Sequence, residues 1–249
     1  MRANPVLDTW RSGGQTIGGW LSSDSTLSAE VMGHLGFDWV CVDLQHGASE
    51  SSDVVPMLQA LSNTDTVPFV RVRWNEPSLI MRVLDAGAMG VIVPLVNNRE
   101  EAERAVWAMR YPPVGGRSSG PFRAAMYGGE NYGAEANDKI ALVVMIETAE
   151  ALDNLDEILS VDGVDAAYIG PSDLAYAIGL NPTGDNNDPK HVETVHQIYD
   201  ACKRQNVAPG IHTGSVEFTK RWLEHGFQMV MLGADTGFLR QAAAPQLAE

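Results

Sequence analysis

ALVVMIETAEALDNLDEILSVDGVDAAYIGPSDLAY, residues 141–176, reads as strand, helix, strand and the start of a second helix. The run ALVVMI has the length and Val/Ile content of a strand buried on both faces, and it runs out at Glu147. AAYIG, residues 166–170, is a second strand of the same kind, with Asp173 just beyond it. A right-handed crossover through a helix over residues 149–159 makes the two strands parallel neighbours and brings both C-terminal ends to one edge of the sheet. Two carboxylates therefore converge. Left unpaired they repel and one resists ionising, so the arrangement calls for a divalent cation or a shared proton between them.

Outward from this stretch the same unit recurs. Strands are expected at residues 16–21, 39–42, 67–72 and 90–96 before it and at 208–213 and 229–235 after it. Helices fall between them, over 26–35, 53–61, 77–87, 98–111, 189–205 and 215–225, with a last one from 236. Residues 1–15 read as a polar start. Residues 112–138, rich in Gly, Tyr and Arg, read as a long loop of the kind that forms lids or binding loops, and Arg117, Arg123 and Tyr127 on it are candidates for shaping specificity. Eight strands alternating with helices, without a linker or a composition break, predict one (β/α)8 barrel spanning residues 1–249.

Composition excludes several classes of partner. A formal net charge of -15 argues against nucleic acid and anionic membrane surfaces. No charged leader precedes an apolar run near Met1, and no apolar run approaches the ~18 residues of a membrane span, so a soluble cytoplasmic protein is expected. Cys41 and Cys202 sit in a strand and a helix pattern with neither zinc nor disulfide spacing, and read as core.

Barrels of this type carry their chemistry at the C-terminal ends of the strands. Asp43, His46, Arg71, Glu147, Asp173 and His212 all fall at such ends. A metal held by Glu147 and Asp173 through oxygen suits Mg²⁺, Mn²⁺ or Co²⁺ and leaves positions for a chelating 2-oxo acid, whose enolate the ion stabilises. Arg71 is a candidate for the keto or enolate oxygen, and the backbone of Gly170, Pro171, Ser172 and Asp173 for the carboxylate. His46 is the candidate base, with Asp43 orienting it. Each residue also has a plainer role open to it. Asp173 suits a helix cap, Arg71 a structural pair with Asp43 or Glu147, and His212 a lining position. Arg73 shares the strand face of Arg71 and competes with it.

The motifs FDWVCVDLQHG, VRVRWNEPSLIMRVLDAGAMGVIVPLV, RYPPVGGRSSG, VVMIETAEALDNLDEIL and GVDAAYIGPSDLA, in this order, resemble the HpcH/HpaI aldolase family over nearly the whole chain. These are metal-dependent pyruvate aldolases similar to 4-hydroxy-2-oxoheptane-1,7-dioate aldolase, on barrels like those of the phosphoenolpyruvate/pyruvate superfamily. The resemblance implies Glu147 and Asp173 as metal ligands, Arg71 on the keto oxygen, His46 with Asp43 as a catalytic dyad, and Gly170, Pro171 and Ser172 at the pyruvate carboxylate. It also implies a hexamer, a trimer of dimers, with the C-terminal helix swapped between subunits. Gln45 and Met145 depart from the family's more usual Glu and Gln, and His212 stands where an apolar residue is common. The expected activity is reversible cleavage of a 4-hydroxy-2-oxo acid to pyruvate, or a related 2-oxo acid, and an aldehyde. The rivals are a lyase or decarboxylase of oxaloacetate-like acids and an idle carboxylate-binding barrel. No lysine lies at an expected strand end, which disfavours a Schiff-base mechanism.

Overall fold

The structure is a computed structural model that describes residues 1–247. Strands β1 (Thr16–Leu21), β2 (Trp39–Asp43), β3 (Val67–Arg71), β4 (Gly90–Val93), β5 (Ala141–Ile146), β6 (Ala166–Ile169), β7 (Ala208–His212) and β8 (Met229–Ala234) close in sequence order into an eight-stranded barrel. Every ladder is parallel, including β1 with β8. The expected (β/α)8 architecture is therefore the observed one. Helices before and between the first strands are α1 (Pro5–Arg11), α2 (Thr26–His34), α3 (Val54–Leu61), α4 (Pro77–Asp85) and α5 (Arg99–Met109). Around the second half run α6 (Phe122–Gly128), α7 (Tyr132–Lys139), α8 (Ala149–Asp153), α9 (Leu155–Leu159), α10 (Pro171–Ala177), α11 (Pro189–Gln205), α12 (Val216–His225) and α13 (Asp235–Gln246).

The strands alternate in what they bury. Val40, Val42, Val70, Val91, Leu142, Val144, Ala167 and Val230 face the helices, while Trp39, Cys41, Phe69, Ile92, Val143, Tyr168 and Met229 fill the barrel interior. The three aromatic rings fit because a glycine stands beside each in the ladder. Gly18 pairs with Trp39, Gly90 with Phe69 and Gly210 with Tyr168. A Cβ on Gly18 or Gly90 would fall within the neighbouring ring, and one on Gly210 would lie 2.9 Å from Tyr168.

Residues 1–15, read from sequence as a polar start, carry α1, whose apolar side chains plug the N-terminal end of the barrel. Val6, Leu7 and Trp10 join the interior cluster. Buried Asn4 caps the helix through Leu7 N at 3.3 Å and donates its Nδ2 to Met89 O and Lys139 O, each at 2.9 Å, tying α1 to the starts of β4 and β5. Seven residues with three apolar side chains leave little periodicity to read. Residues 112–138 likewise are not one loop but carry α6 and most of α7. The helix expected over 149–159 is broken at Asn154, whose Nδ2 donates to Asn97 O at 2.9 Å. Asn75 does not cap α4; it donates to Glu101 O at 2.8 Å, and Glu76 takes the cap position. Among the described residues no helix is long and apolar enough to cross a membrane.

If ring and glycine are matched pairs, Gly90→Ala lowers stability by about 1–3 kcal/mol through overpacking. Chemical denaturation checks this, and Phe69→Leu in the Gly90→Ala background should recover part of the loss.

Candidate active site

With the N-terminal end plugged, the site forms at the other rim, around a cavity of about 390 Å³. His46, Arg71, Met145, Ser172, Asp173 and His212 all line it, together with Gly170 and Pro171. Strand ends remote in sequence thus meet, as the parallel topology requires. The expected constellation is brought together, with two of its members set behind the wall.

One of these is Asp43, the last residue of β2, which lies beside Arg71, the last residue of β3, in the ladder. Arg71 donates Nε to Asp43 Oδ1 at 2.8 Å and Nη2 to Oδ2 at 2.6 Å, both side chains being buried. Trp20 Nε1 donates to Oδ2 at 3.1 Å, and the Trp20 ring lies 5.0 Å from the guanidinium carbon. Burial pushes the Asp43 pKa up, but the bonds and charge of Arg71 outweigh it and hold the carboxyl below its ordinary range. Burial likewise opposes the Arg71 charge and is outweighed by Asp43, so the guanidinium stays charged. Its third nitrogen, Nη1, approaches the Met145 sulfur at 4.0 Å, and both residues line the cavity.

The plainer reading of Arg71, a structural pair with Asp43, is thus true of one edge of the guanidinium. Arg73, its rival, points elsewhere. It donates Nε to Leu44 O at 3.1 Å and pairs with Glu50. Asp43 does not hydrogen-bond the His46 imidazole, because its oxygens are occupied. It reaches the His46 segment through the backbone amides of Gln45 at 3.0 Å and His46 at 3.3 Å. The imidazole itself is exposed at the cavity.

Glu147 is the other member behind the wall, buried just past the end of β5. Its Oε1 accepts Leu95 N at 3.0 Å, and its Oε2 would lie 2.5 Å from a Cβ on Gly170, so only glycine leaves room for the carboxylate. Burial, reinforced by the charge of Asp173, lifts the Glu147 pKa to about 7. Asp173 stands in the first turn of α10, where Gly170 holds the cap position, and it lines the cavity. Two oxygen donors at one rim, one resisting ionisation, suit a divalent cation. Among the described residues no group of three or more His, Cys, Asp or Glu side chains is placed to hold a metal.

Pro171 lacks an N–H, so any anion cradle over residues 170–173 rests on the other amides. Its carbonyl accepts His191 Nε2 at 3.0 Å. Buried His191, whose pKa burial lowers, pins the start of α10 from α11. Sequence reading missed this residue and Trp20, since each acts through a contact between distant elements. His212 packs edge-on to Trp20 at 5.1 Å, and its Nδ1 lies 3.3 Å from the Tyr168 hydroxyl. Burial, then the charge of Arg71, push its pKa down to about 3. The buried Tyr168 O–H needs an acceptor; with Nδ1 in that role the His212 proton is assigned to Nε2. Arg117, Arg123 and Tyr127 do not line the cavity. Arg117 is buried against Asp85 and Tyr132, and Arg123 reaches Ala86 O and Ser62.

The fold is a (β/α)8 barrel with its polar residues at the C-terminal rim, and comparison with known proteins gives the family. The HpcH/HpaI aldolase/citrate lyase family model matches residues 16–242, and the chain belongs to that family. It is 40% identical over 246 residues to a hydroxypyruvate/pyruvate aldolase of Rhizorhabdus wittichii, covering 99% of this chain and 98% of that one. It is also 40% identical to a 4-hydroxy-2-oxo-heptane-1,7-dioate aldolase of Klebsiella pneumoniae, covering 96% and 91%. A crystal structure of a family member from Burkholderia cenocepacia superposes with a TM-score of 0.92 at 32% identity, covering 99% and 98% of the two chains.

The raised Glu147 pKa makes this residue's contribution to metal-free stability depend on pH. Between about 4.5 and about 7 the folded chain keeps a Glu147 proton that the unfolded chain has lost, so that contribution is full below this window and falls as pH rises through it. Glu147→Gln should therefore raise the melting temperature of metal-free protein at pH 8 by roughly 5 °C and leave it unchanged at pH 4.5. Added Mg²⁺ should raise it in the wild type and not in the variant, as differential scanning calorimetry would show.

Proposed function

We propose that the chain is a soluble, cytoplasmic, divalent-metal-dependent aldolase. It cleaves a 4-hydroxy-2-oxo acid to pyruvate, or a related 2-oxo acid, and an aldehyde, and it runs the addition in reverse. The observation that carries this reading is Arg71, whose Nε and Nη2 are held by Asp43 and which lines one cavity with His46 and Asp173, with Glu147 buried just behind. Glu147 and Asp173 would hold Mg²⁺, Mn²⁺ or Co²⁺. When bound, the cation supplies Lewis-acid stabilisation of negative charge on the enolate oxygen.

The chain's own residues do the rest. Arg71 Nη1 donates to the keto oxygen, and the amides near Ser172 and Asp173 receive the carboxylate. His46 takes the proton of the C4 hydroxyl, the C3–C4 bond breaks to release the aldehyde, and the same imidazole returns the proton to C3. Asp43 positions the His46 segment through its amide and keeps Arg71 charged. His212, neutral across the working pH range, lines the site as a fixed hydrogen-bond donor through Nε2.

The reading extends to assembly, as a hexamer of three dimers. Beyond its first turn α13 is largely uncovered, and Leu239 is 72% exposed. Beside it an apolar groove of about 860 Å³ is lined by Leu27 and Val31 of α2 and by Leu35 just past its end, which are 67%, 53% and 63% exposed. A lone chain leaves such a surface wet at a cost, and the α13 of a second copy is the occupant that fits by length and composition.

Metal removal tests the chemistry. Exhaustive chelation should lower aldol addition of pyruvate to an aldehyde by at least about a hundred-fold, with Mg²⁺, Mn²⁺ or Co²⁺ restoring it. Full activity without metal, or borohydride trapping of pyruvate on a lysine, would overturn the mechanism. For the assembly, Val31→Asp with Leu239→Asp should shift the species seen by analytical ultracentrifugation to a smaller one. An unchanged mass would refute the exchange of α13.

A further inference from the structure

We infer that Asn97, which does not line the cavity, is a positioning residue for the metal-binding carboxylate of Glu147. The inference rests on the metal-dependent aldolase reading above and concerns how this chain keeps Glu147 ready for a cation. Leu95 lies in the segment 94–98 that leads from β4 into α5. Its φ of 54° is in the left-handed region, and among the described residues it shares a positive φ outside glycine with Asn206 alone. Asn206 caps the C-terminal end of α11, a place where asparagine takes this conformation readily. Leucine has no polar side chain to support it there, so the surroundings must impose the conformation.

The strained turn serves Glu147. It aims the Leu95 N–H at Oε1, at 3.0 Å, and so fixes one oxygen of the carboxylate. The other, Oε2, then falls beside Gly170, at the start of the segment that carries Asp173. Asn97 holds the turn. Its Nδ2 donates to Leu95 O at 3.0 Å, across two residues. Its Oδ1 accepts Thr148 Oγ1 at 2.5 Å, from the residue next to Glu147 in the chain. One side chain therefore grips both the residue that binds Glu147 and the residue that follows it. The backbone of Asn97 is fixed as well. Its N–H donates to Glu101 Oε2, in the first turn of α5, at 2.7 Å, and its carbonyl accepts Asn154 Nδ2, at the break between α8 and α9, at 2.9 Å. Alanine at this position would remove both side-chain contacts and leave Leu95 without the clamp. Groups that orient a metal ligand in this way set affinity by roughly ten- to a hundred-fold.

Mn²⁺ binding, read from loss of the EPR signal of the free ion and counted at the site that Asp173→Ala abolishes, tests this without turnover. Asn97→Ala should weaken Mn²⁺ binding by about ten-fold, and saturating Mn²⁺ should return kcat to the wild-type value. Glycine takes the left-handed turn without strain, so in a Leu95→Gly background Asn97→Ala should cost no more than about three-fold. Should Asn97→Ala fail to fold, as circular dichroism would show, Asn97→Asp decides. It keeps an acceptor for Thr148, loses the donor to Leu95 and brings a negative charge toward the cation. Charge alone would tighten binding, whereas the positioning role predicts weaker binding. An unchanged affinity in Asn97→Ala, an equal loss in both backgrounds, a kcat that saturating Mn²⁺ does not restore, or unchanged or tighter binding by Asn97→Asp would each overturn the inference and leave the aldolase reading standing. If the wild type binds no Mn²⁺, the metal reading fails and this inference falls with it.

Discussion

Three aromatic rings set the terms on which this barrel closes. Trp39, Phe69 and Tyr168 point inward, and an eight-stranded barrel has room for them only because Gly18, Gly90 and Gly210 stand beside them in the ladder. Ring against missing side chain fills the interior to the density that a folded core requires. The plug α1, with Trp10 beneath Phe69 at 6.0 Å between ring centroids, completes the packing from the N-terminal end. The interior is thereby solid, and polar chemistry is displaced to the other rim.

At that rim the packing continues into electrostatics. Trp20 stacks on Tyr168 at 5.8 Å, lies against the guanidinium of Arg71 and donates to Asp43. A buried charge pair is costly to desolvate and is tolerated when its hydrogen bonds are complete. Here Asp43 accepts from Arg71, Trp20 and two amides, which fixes Arg71 at the cavity wall. Gly170 extends the same logic, since the space of its absent side chain is occupied by the Glu147 carboxylate. The packed frame thus presents the acids and the arginine together.

The barrel was legible in the sequence because eight apolar runs alternate with capped helices, and parallel strands leave one place for polar residues at their C-terminal ends. That topology sufficed to gather His46, Arg71, Asp173 and His212, and to favour Arg71 over Arg73 once the Glu50 pair was visible. What sequence could not carry was contact between distant elements. Asn4 holding β4 and β5, His191 pinning α10, and Trp20 sharing Asp43 with Arg71 each depend on a partner remote in the chain. The short helices α1, α6 and α7 escaped because seven or eight residues give too few turns for a period to show. The occupancy of Asp43, which turns it from the His46 ring to its backbone, is likewise a fact of geometry.

The central claim is that this rim forms an enolate from a 2-oxo acid with metal help. It is tested most directly without an aldehyde, by following loss of the C3 protons of pyruvate in D2O by proton NMR. The account predicts exchange by the wild type with Mg²⁺, abolished by chelation and by Asp173→Ala. Exchange that persists in the chelated enzyme, or its absence when Mg²⁺ is present, would contradict it.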